Sequence, residues 1–192
     1  MTVREILKMG DERLMRVAKP VLEFNTPELL DGIVDMKETM IAASGAGLAA
    51  PQIGLDIRLF IVDVTPLADD EDYEDIADEL QDFKKVFINA RILEESGNEW
   101  KFNEGCLSIP DVREDVSRKE TILIEYFDEN FVKHTETFSD IRARVIQHEY
   151  DHIEGVLFTD KLSPLKKKII KGKLTKITSG DIHVGYKMRF PK

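Results

Sequence analysis

Apolar residues recur at helical spacing in two well-separated parts of the chain. The first helix is predicted to begin with Thr26 as N-cap and Pro27 at the first helical position, and to end near 44–45. The second helix is predicted to begin after Ser139 and to end at Gly155. Its shared face consists of Ile141, Val145, His148 and His152.

Stretches rich in β-branched residues at 57–64 and 86–93 predict two strands. The acidic run between them, 69–82, is expected to form a solvated loop. Residues 121–127 and 132–138 flank a short polar turn and predict an antiparallel hairpin. Because strands precede helices without a regular βαβ alternation, the sequence predicts an α+β fold in which an antiparallel sheet packs around a central helix.

The length and composition of the chain predict one domain. A chain of 192 residues with 42% hydrophobic content can bury a substantial core but is too short for two ordinary domains. We therefore predict a single domain over 1–192, with a basic C-terminal tail at 161–192 that belongs to the same domain. Ser163 and Pro164 predict the start of a helix within this tail.

Charge is distributed unevenly along the chain. The net charge of -10 at pH 7 argues against a protein that coats nucleic acid over its whole surface. Nine acidic residues and no Lys or Arg lie at 69–82, whereas seven Lys and no acidic residue lie at 161–176. The two segments therefore differ in the partners they can attract.

Cysteine usage and hydropathy predict the compartment. One cysteine, Cys106, excludes an intramolecular disulfide and fits a reducing environment. Charged residues interrupt the apolar core that a secretory signal would need at 1–14, and no later segment approaches the length of an apolar membrane span. We therefore expect a cytoplasmic protein without a membrane partner.

The predicted second helix carries the pattern H-E-x-x-H at 148–152. Its spacing places the His148 and His152 imidazoles one helical turn apart, so that both can reach one metal ion with Glu149 beside them. The alternative is two histidines buried in a core helix with an exposed Glu between them. The spacing around a Glu favours the metal site, which would lie on the central helix of the fold.

A catalytic metal site of this kind needs a third protein ligand. The metzincin pattern would place it at position 158, which is Phe158, and no Glu follows Glu154 to supply a thermolysin-like ligand. Cys106 is the best remaining candidate, because thiolate is a strong metal ligand and the segment 104–110 looks short and irregular. Taken alone, a single Cys is more often a small buried apolar residue.

A third segment, 45–52, combines two glycines and three alanines with Gln52. The glycines allow close approach of a ligand to the backbone, and Gln52 offers an amide donor. The alternative is a helix end that runs into a surface turn, and the segment alone does not distinguish the two.

Three segments, in this order, resemble the motifs of the peptide deformylase family. The pattern G-x-G-x-A-A-x-Q lies at 45–52, E-G-C-x-S at 104–108 and H-E-x-D-H at 148–152. Residues 6–21 are also similar to the start of the family. The chain departs from the family at Ala46, where a larger aliphatic residue is more usual, and in its longer, more acidic loop.

The resemblance implies a metal-dependent hydrolase that removes the formyl group from the N-terminal methionine of newly made proteins and releases formate. It implies that Cys106, His148 and His152 bind one divalent metal ion, usually ferrous iron, with zinc, nickel or cobalt as possible occupants. Such an ion lowers the pKa of its bound water toward about 7, and this water would be the nucleophile. Glu149 would be the general base and acid.

The resemblance also implies roles for four residues around the metal. The backbone N–H of Leu107 and the side-chain amide of Gln52 would stabilise the oxyanion. The N-formylmethionyl nascent peptide would lie along Gly47 and Gly105 and pair as an added strand.

Two competing interpretations follow from the residues. A zinc endopeptidase shares H-E-x-x-H, but its downstream ligand is absent here. A non-catalytic structural metal site would need a closed shell of four ligands, and the sequence offers three good ligands without an obvious fourth.

The basic tail suggests a second partner. Its Lys-rich segment could be a solvated helix face, as charge runs usually are. Deformylases act on nascent chains, and bacterial members of the family use a C-terminal extension to dock on the ribosome. We therefore predict that the tail, through residues such as Lys166, Lys167 and Lys168, binds ribosomal RNA.

Overall fold

The computed structural model describes residues 2–190, which form seven strands. Strands β2 to β6 form one antiparallel sheet in that spatial order, whereas β1 and β7 pair in parallel. The strands are Ile6–Leu7 (β1), Gly47–Ala49 (β2), Leu59–Asp63 (β3), Lys84–Cys106 (β4), Ile109–Phe127 (β5), Lys133–Ser139 (β6) and Met188–Arg189 (β7). This antiparallel sheet with helices confirms the predicted α+β class.

Residues 2–190 also form α-helices and several short 3-10 helices. The α-helices are Pro27–Ala42 (α1), Ala77–Leu80 (α2), Asp140–Ile153 (α3) and Pro164–Ser179 (α4). The 3-10 helices are Glu12–Met15, Ala50–Ile53, Thr65–Leu67, Glu71–Ile76 and Phe158–Lys161. No helix in this part of the chain combines the length and apolar character needed to cross a bilayer.

The predicted helix starts are confirmed by their caps. The Thr26 hydroxyl accepts a hydrogen bond from the Leu29 N–H at 3.3 Å, and the Ser163 hydroxyl accepts one from the Lys166 N–H at 3.3 Å. Helix α3 begins directly after Ser139, as predicted, although the Ser139 side chain makes no capping hydrogen bond.

Strands β4 and β5 are much longer than the sequence predicts. The irregular structure expected at 104–110 is wrong, because this segment is the end of β4, a two-residue turn and the start of β5. The sequence did not predict these extensions because much of 93–103 is exposed and polar. Two register shifts also interrupt the strand pairing there. The long hairpin places the 104–108 motif against α3, where Glu104 and Cys106 contact its histidines.

The acidic segment is not a simple solvated loop, so that expectation is wrong. It contains the 3-10 helix Glu71–Ile76 and helix α2. Leu80 is fully buried, and Tyr73 and Ile76 pack against the core. Burial of these apolar side chains orders a segment whose acidic side chains stay in water.

Helix α3 lies against the main sheet and contacts β2, β3, β5 and β6. Its apolar residues Ile141 and Ile146 belong to a core cluster with Phe60 and Phe87, whose rings stack at 4.7 Å. Helix α1 packs in a second cluster with residues of β2 and β3. These two clusters fix α3 and the short strand β2 relative to the sheet.

Candidate metal centre and active site

The three predicted metal ligands lie together. Within the described part of the chain, the ligand atoms of Cys106, His148 and His152 all lie within 4.8 Å of one another. Cys106 comes from the end of β4 and both histidines from α3, and the Cys106 Sγ lies 3.3 Å from the His152 Nε2. Ligand atoms around one tetrahedral zinc-like ion are about 3.3 to 3.8 Å apart. The donor set and its spacing therefore fit one metal ion.

The orientation of His148 is set by a buried carboxylate. Its Nδ1–H donates to the Glu104 Oε2 at 3.0 Å, since a carboxylate can only accept, and this leaves Nε2 free for a metal. Burial would raise the pKa of Glu104, but hydrogen bonds from His148 and Arg118 outweigh it and hold that pKa far below its usual value. Glu104 therefore stays ionised behind the histidine.

Two arginines neutralise the Glu104 carboxylate. Arg118 donates to both of its oxygens, at 2.7 and 3.0 Å, and Arg144 donates to Oε1 at 2.9 Å. Arg118 also pairs with Asp151 at 2.7 Å, which links the network to α3. None of these four residues was predicted to have a role at the site. Glu104 and Asp151 nevertheless lie inside the E-G-C-x-S and H-E-x-D-H motifs, and Arg144 lies one helical turn before His148.

The pKa values of the two histidines shift in opposite directions. Burial holds the pKa of His152 well below its usual value, so its imidazole is neutral, as a metal ligand must be. Burial acts in the same direction on His148, but hydrogen bonds with Cys106 and Glu104 raise its pKa well above the usual value. A bound metal ion would compete with protons for the His148 Nε2.

Glu149 is buried beside the cluster. Its Oε2 has no hydrogen-bond partner among residues 2–190, and burial raises its pKa to about 7. A Cβ added at Gly47 would lie 2.5 Å from the Glu149 Oε1, so only glycine leaves room for this carboxylate. Gly47 was predicted as a substrate contact, and the structure also places it directly against Glu149.

Gln52 faces the cluster with its amide N–H group. Its Oε1 accepts a hydrogen bond from the Ala49 N–H at 2.8 Å, which fixes which end of the amide points inward. Its Nε2 donates to the Ser108 hydroxyl at 3.1 Å and lies 3.7 Å from the Cys106 Sγ. The 3-10 helix Ala50–Ile53 thus places a donor next to the proposed ligands.

Leu107 occupies the turn between β4 and β5, directly after Cys106. Its carbonyl accepts a hydrogen bond from the Tyr186 hydroxyl at 2.6 Å. Gly105 pairs with Arg113 across the hairpin, and an added Cβ at Gly105 would lie 2.7 Å from the Arg113 Nη1. Any larger residue at 105 would push this arginine away from the site.

These residues surround one open cavity of about 610 Å³. The predicted site residues that line it are Gly47, Gln52, Gly105, Cys106, Leu107, His148 and Glu149. His152 lies behind them and is buried. Two parts of the cavity wall were not predicted from the sequence. One consists of Leu67, just before the acidic segment, and Tyr73, within it; the other consists of residues 183–186 near the C-terminus.

Comparisons with known proteins identify the family to which the chain is similar. The model of the family described as polypeptide deformylase matches residues 3–168. The peptide deformylase of Christiangramia forsetii is 57% identical over 187 residues, which cover 97% of this chain and 95% of that protein. The peptide deformylase of Flavobacterium johnsoniae is 56% identical over 186 residues, which cover 96% of this chain and 94% of that protein.

Solved structures give the same answer for the fold. The crystal structure of a peptide deformylase from Legionella pneumophila has a TM-score of 0.78 and 38% identity, covering 91% of this chain and 95% of that one. A Plasmodium falciparum peptide deformylase has a TM-score of 0.79 and 31% identity, covering 94% of this chain and 99% of that one. Since the family model and relatives of more than half identity span nearly all of the sequence, the chain belongs to the polypeptide deformylase family.

Proposed function

We propose that Cys106, His148 and His152 form the catalytic metal centre of this deformylase, with Glu149 as its proton carrier. The chain is a metal-dependent hydrolase that removes the N-formyl group from the N-terminal methionine of newly synthesised proteins. The observation that carries the residue assignment is the buried, unpartnered Glu149 carboxylate beside three converging ligand atoms. We also propose that α3 is the central helix of a single catalytic domain, which its contacts with four strands support.

The experiment that tests this function measures formate release from a short formyl-Met peptide by the anaerobically purified protein. Release of formate without cleavage of internal amide bonds is expected. Cleavage only at internal amide bonds of unformylated peptides would instead indicate an endopeptidase. A metal-loaded protein with neither activity would indicate a structural metal site.

Glu149 would move one proton during the reaction. When bound, a divalent metal ion supplies Lewis-acid polarisation and lowers the pKa of a bound water toward about 7. The Glu149 Oε2 is free to accept the proton of the attacking water and to deliver it to the leaving amine nitrogen. Burial raises the pKa of Glu149 to about 7, which suits both steps near neutral pH.

The substrate is proposed to bind as an additional strand beside β2. This strand is the edge of the main sheet, and Gly47 at its start lines the cavity. An extended peptide can pair with such an edge through backbone hydrogen bonds. Gly105 lies across the same cavity, so the formyl end would reach the metal cluster between the two glycines.

Gln52 and the Leu107 N–H are proposed to stabilise the oxyanion. Gln52→Leu keeps the side-chain size but removes the amide donor, so we expect kcat to fall by about 100-fold or more. Metal content should stay at the parent level, because Gln52 is not a ligand. The measurement is steady-state formate release together with elemental analysis of the purified variant. An unchanged kcat would contradict the assigned donor.

Ferrous iron is the proposed native metal because the family resemblance implies it, although a thiolate with two imidazoles can also bind zinc, nickel or cobalt. We expect the iron form to lose activity in peroxide as the metal and Cys106 oxidise, and the nickel form to lose it more slowly. The measurement is residual activity against time of peroxide exposure for each metal form. An iron form that resists peroxide would exclude the proposed native metal.

A reducing cytoplasm would protect the Cys106 thiolate from oxidation, and we therefore propose a cytoplasmic location for the protein.

Ribosome binding is proposed for helix α4. Most of its lysines are exposed, although Lys166 pairs with Glu114 at 3.0 Å. Charge reversal at Lys166, Lys167 and Lys168 is expected to weaken co-sedimentation with ribosomes at low salt, because each Lys–phosphate contact releases counterions. Activity on a short formyl peptide should not change, because α4 does not line the cavity.

A matched control for this experiment reverses the charge at three other exposed lysines, Lys19, Lys84 and Lys101, and so changes the net charge equally. These lysines lie outside α4, so ribosome binding by the control should exceed that of the α4 variant. Equal ribosome binding by the parent protein and the α4 variant would exclude docking through this helix.

A further inference from the structure

The turn that carries Leu107 is held by both ends of the chain. The Met9 N–H donates to the Ser108 carbonyl at 2.8 Å, and the Tyr186 hydroxyl donates to the Leu107 carbonyl at 2.6 Å. Leu107 and Ser108 are the two turn residues between β4 and β5, so each has its carbonyl bound by a residue outside the hairpin.

The two ends that hold the turn are joined to each other. Strands β1 and β7 pair in parallel, and the Ile6 N–H donates to the Lys187 carbonyl at 2.9 Å. Met188 is buried, and the Lys8 Nζ donates to the Thr178 carbonyl at the end of α4 at 2.5 Å. Tyr186 is therefore anchored on both sides, by α4 before it and by β7 after it.

The position of this anchor matters for the proposed oxyanion donor. Cys106 pairs with Ile109 across the hairpin, so the ligand is fixed by the strand pair itself. The Leu107 N–H belongs to the peptide unit that joins Cys106 to Leu107, and the Leu107 carbonyl belongs to the next unit. A hydrogen bond that holds this carbonyl therefore acts on the N–H by limiting how far the turn can rotate. A donor must be held within about 10–20° of its productive direction to stabilise a transition state.

We propose that Tyr186 is a positioning residue for deformylation, whose hydroxyl holds the Leu107 carbonyl and thereby directs the Leu107 N–H at the formyl oxygen. This inference rests on the proposed function, because it assumes that the Leu107 N–H is an oxyanion donor. Tyr186 acts through Leu107 rather than on the reacting atoms. Its ring lines the same cavity, but the positioning depends on the hydroxyl alone.

The test is Tyr186→Phe, which removes the hydroxyl and keeps the ring. We expect kcat to fall about tenfold with KM unchanged, because a misdirected Leu107 N–H weakens its hydrogen bond to the oxyanion, which forms in the transition state. Metal content should equal that of the parent, because Cys106 stays paired with Ile109. Hydrogen exchange of the backbone amides at 102–110 should become faster, which reports the turn without relying on activity.

Tyr126→Phe is the matched control. Tyr126 is a buried tyrosine of β5 whose hydroxyl donates to Glu136 and which does not line the cavity. Loss of the Tyr126 hydroxyl should leave kcat and the hydrogen exchange of the backbone amides at 102–110 at the parent level, even if the melting temperature falls.

Each other outcome has a defined meaning. A Tyr186→Phe kcat within about twofold of the parent, with Gln52→Leu still impaired, overturns the positioning role and leaves the proposed function intact. Parent-like kcat in both variants removes the proposed oxyanion donors and this inference with them. A rise in KM alone would show that Tyr186 binds substrate. Loss of metal would show that Tyr186 supports the ligand cluster. Either result overturns the positioning role.

Discussion

Replacing Glu149 with glutamine is expected to reduce kcat by about a thousandfold or more while the metal stays bound. Glutamine has the shape of glutamate but cannot accept the proton of the attacking water. The three proposed ligands are untouched, so elemental analysis should give parent metal content, and KM should change little. Glu149→Ala is expected to lose as much activity as Glu149→Gln. Equal losses would show that the carboxylate matters and the side-chain volume does not.

The pH profile provides a second measurement of the Glu149 role. Only the deprotonated carboxylate can accept a proton, so the parent's activity should fall as pH decreases through the pKa of Glu149. Burial raises this pKa to about 7, and a bound cation lowers it again, so the fall is expected at or below about pH 7. The residual activity of Glu149→Gln should lack this acid-side fall.

The carboxylate of Glu154, the C-cap residue of α3, supplies the control. Glu154 lies at the end of the helix, pairs with Arg58 and does not line the cavity. Glu154→Gln should therefore keep the parent's kcat and pH profile. If Glu149→Gln retained most of its turnover, or lost its metal, the role of Glu149 as proton carrier would be excluded.

The two proposed histidine ligands could be predicted from the sequence because their geometry is local. A spacing of four residues on a helix places the His148 and His152 rings at a centroid distance of 5.1 Å, whatever surrounds them. Cys106 followed by elimination of the other possible third ligands. Such reasoning needs only helical periodicity and ligand chemistry, and it therefore predicted all three proposed ligands, whose ligand atoms lie within 4.8 Å of one another.

The residues that support the proposed ligands and the turn at Leu107 could not be predicted in this way. Arg118 lies in a run of charged residues on β5 that is typical of an exposed strand, yet it is buried because Glu104 and Asp151 neutralise it. Tyr186 contacts Leu107 from 79 positions away, without any periodicity to indicate it. The tertiary structure determines such contacts, so local sequence patterns do not predict them.

The same distinction between local and long-range contacts applies to the fold. Helices α1 and α4 begin where their capping residues, Thr26 and Ser163, predict. The length of β4 and the folding of the acidic segment were missed, because exposed polar residues dominate both stretches and conceal the few buried side chains, such as Leu80. Capping acts within four residues, whereas strand extension depends on a partner strand.

The second large effect is expected for Cys106→Ala, which should lose most of its metal as well as its activity. Cys106 supplies one of three proposed ligands and the only thiolate, so its removal leaves the two histidines, too few to retain the metal through dialysis. Metal binding to the folded state raises the melting temperature by mass action, and this rise should disappear in the variant.

Because Cys106 is the only cysteine, its accessibility can be measured directly in the parent protein. A thiol reagent should modify the metal-free parent and react far more slowly once iron or nickel is added, since the ligand thiolate is then occupied. Ser108→Ala, which alters the same turn without removing a ligand, should keep its metal. Full metal content in Cys106→Ala would instead assign Cys106 as a small buried side chain and leave the metal with a different third ligand.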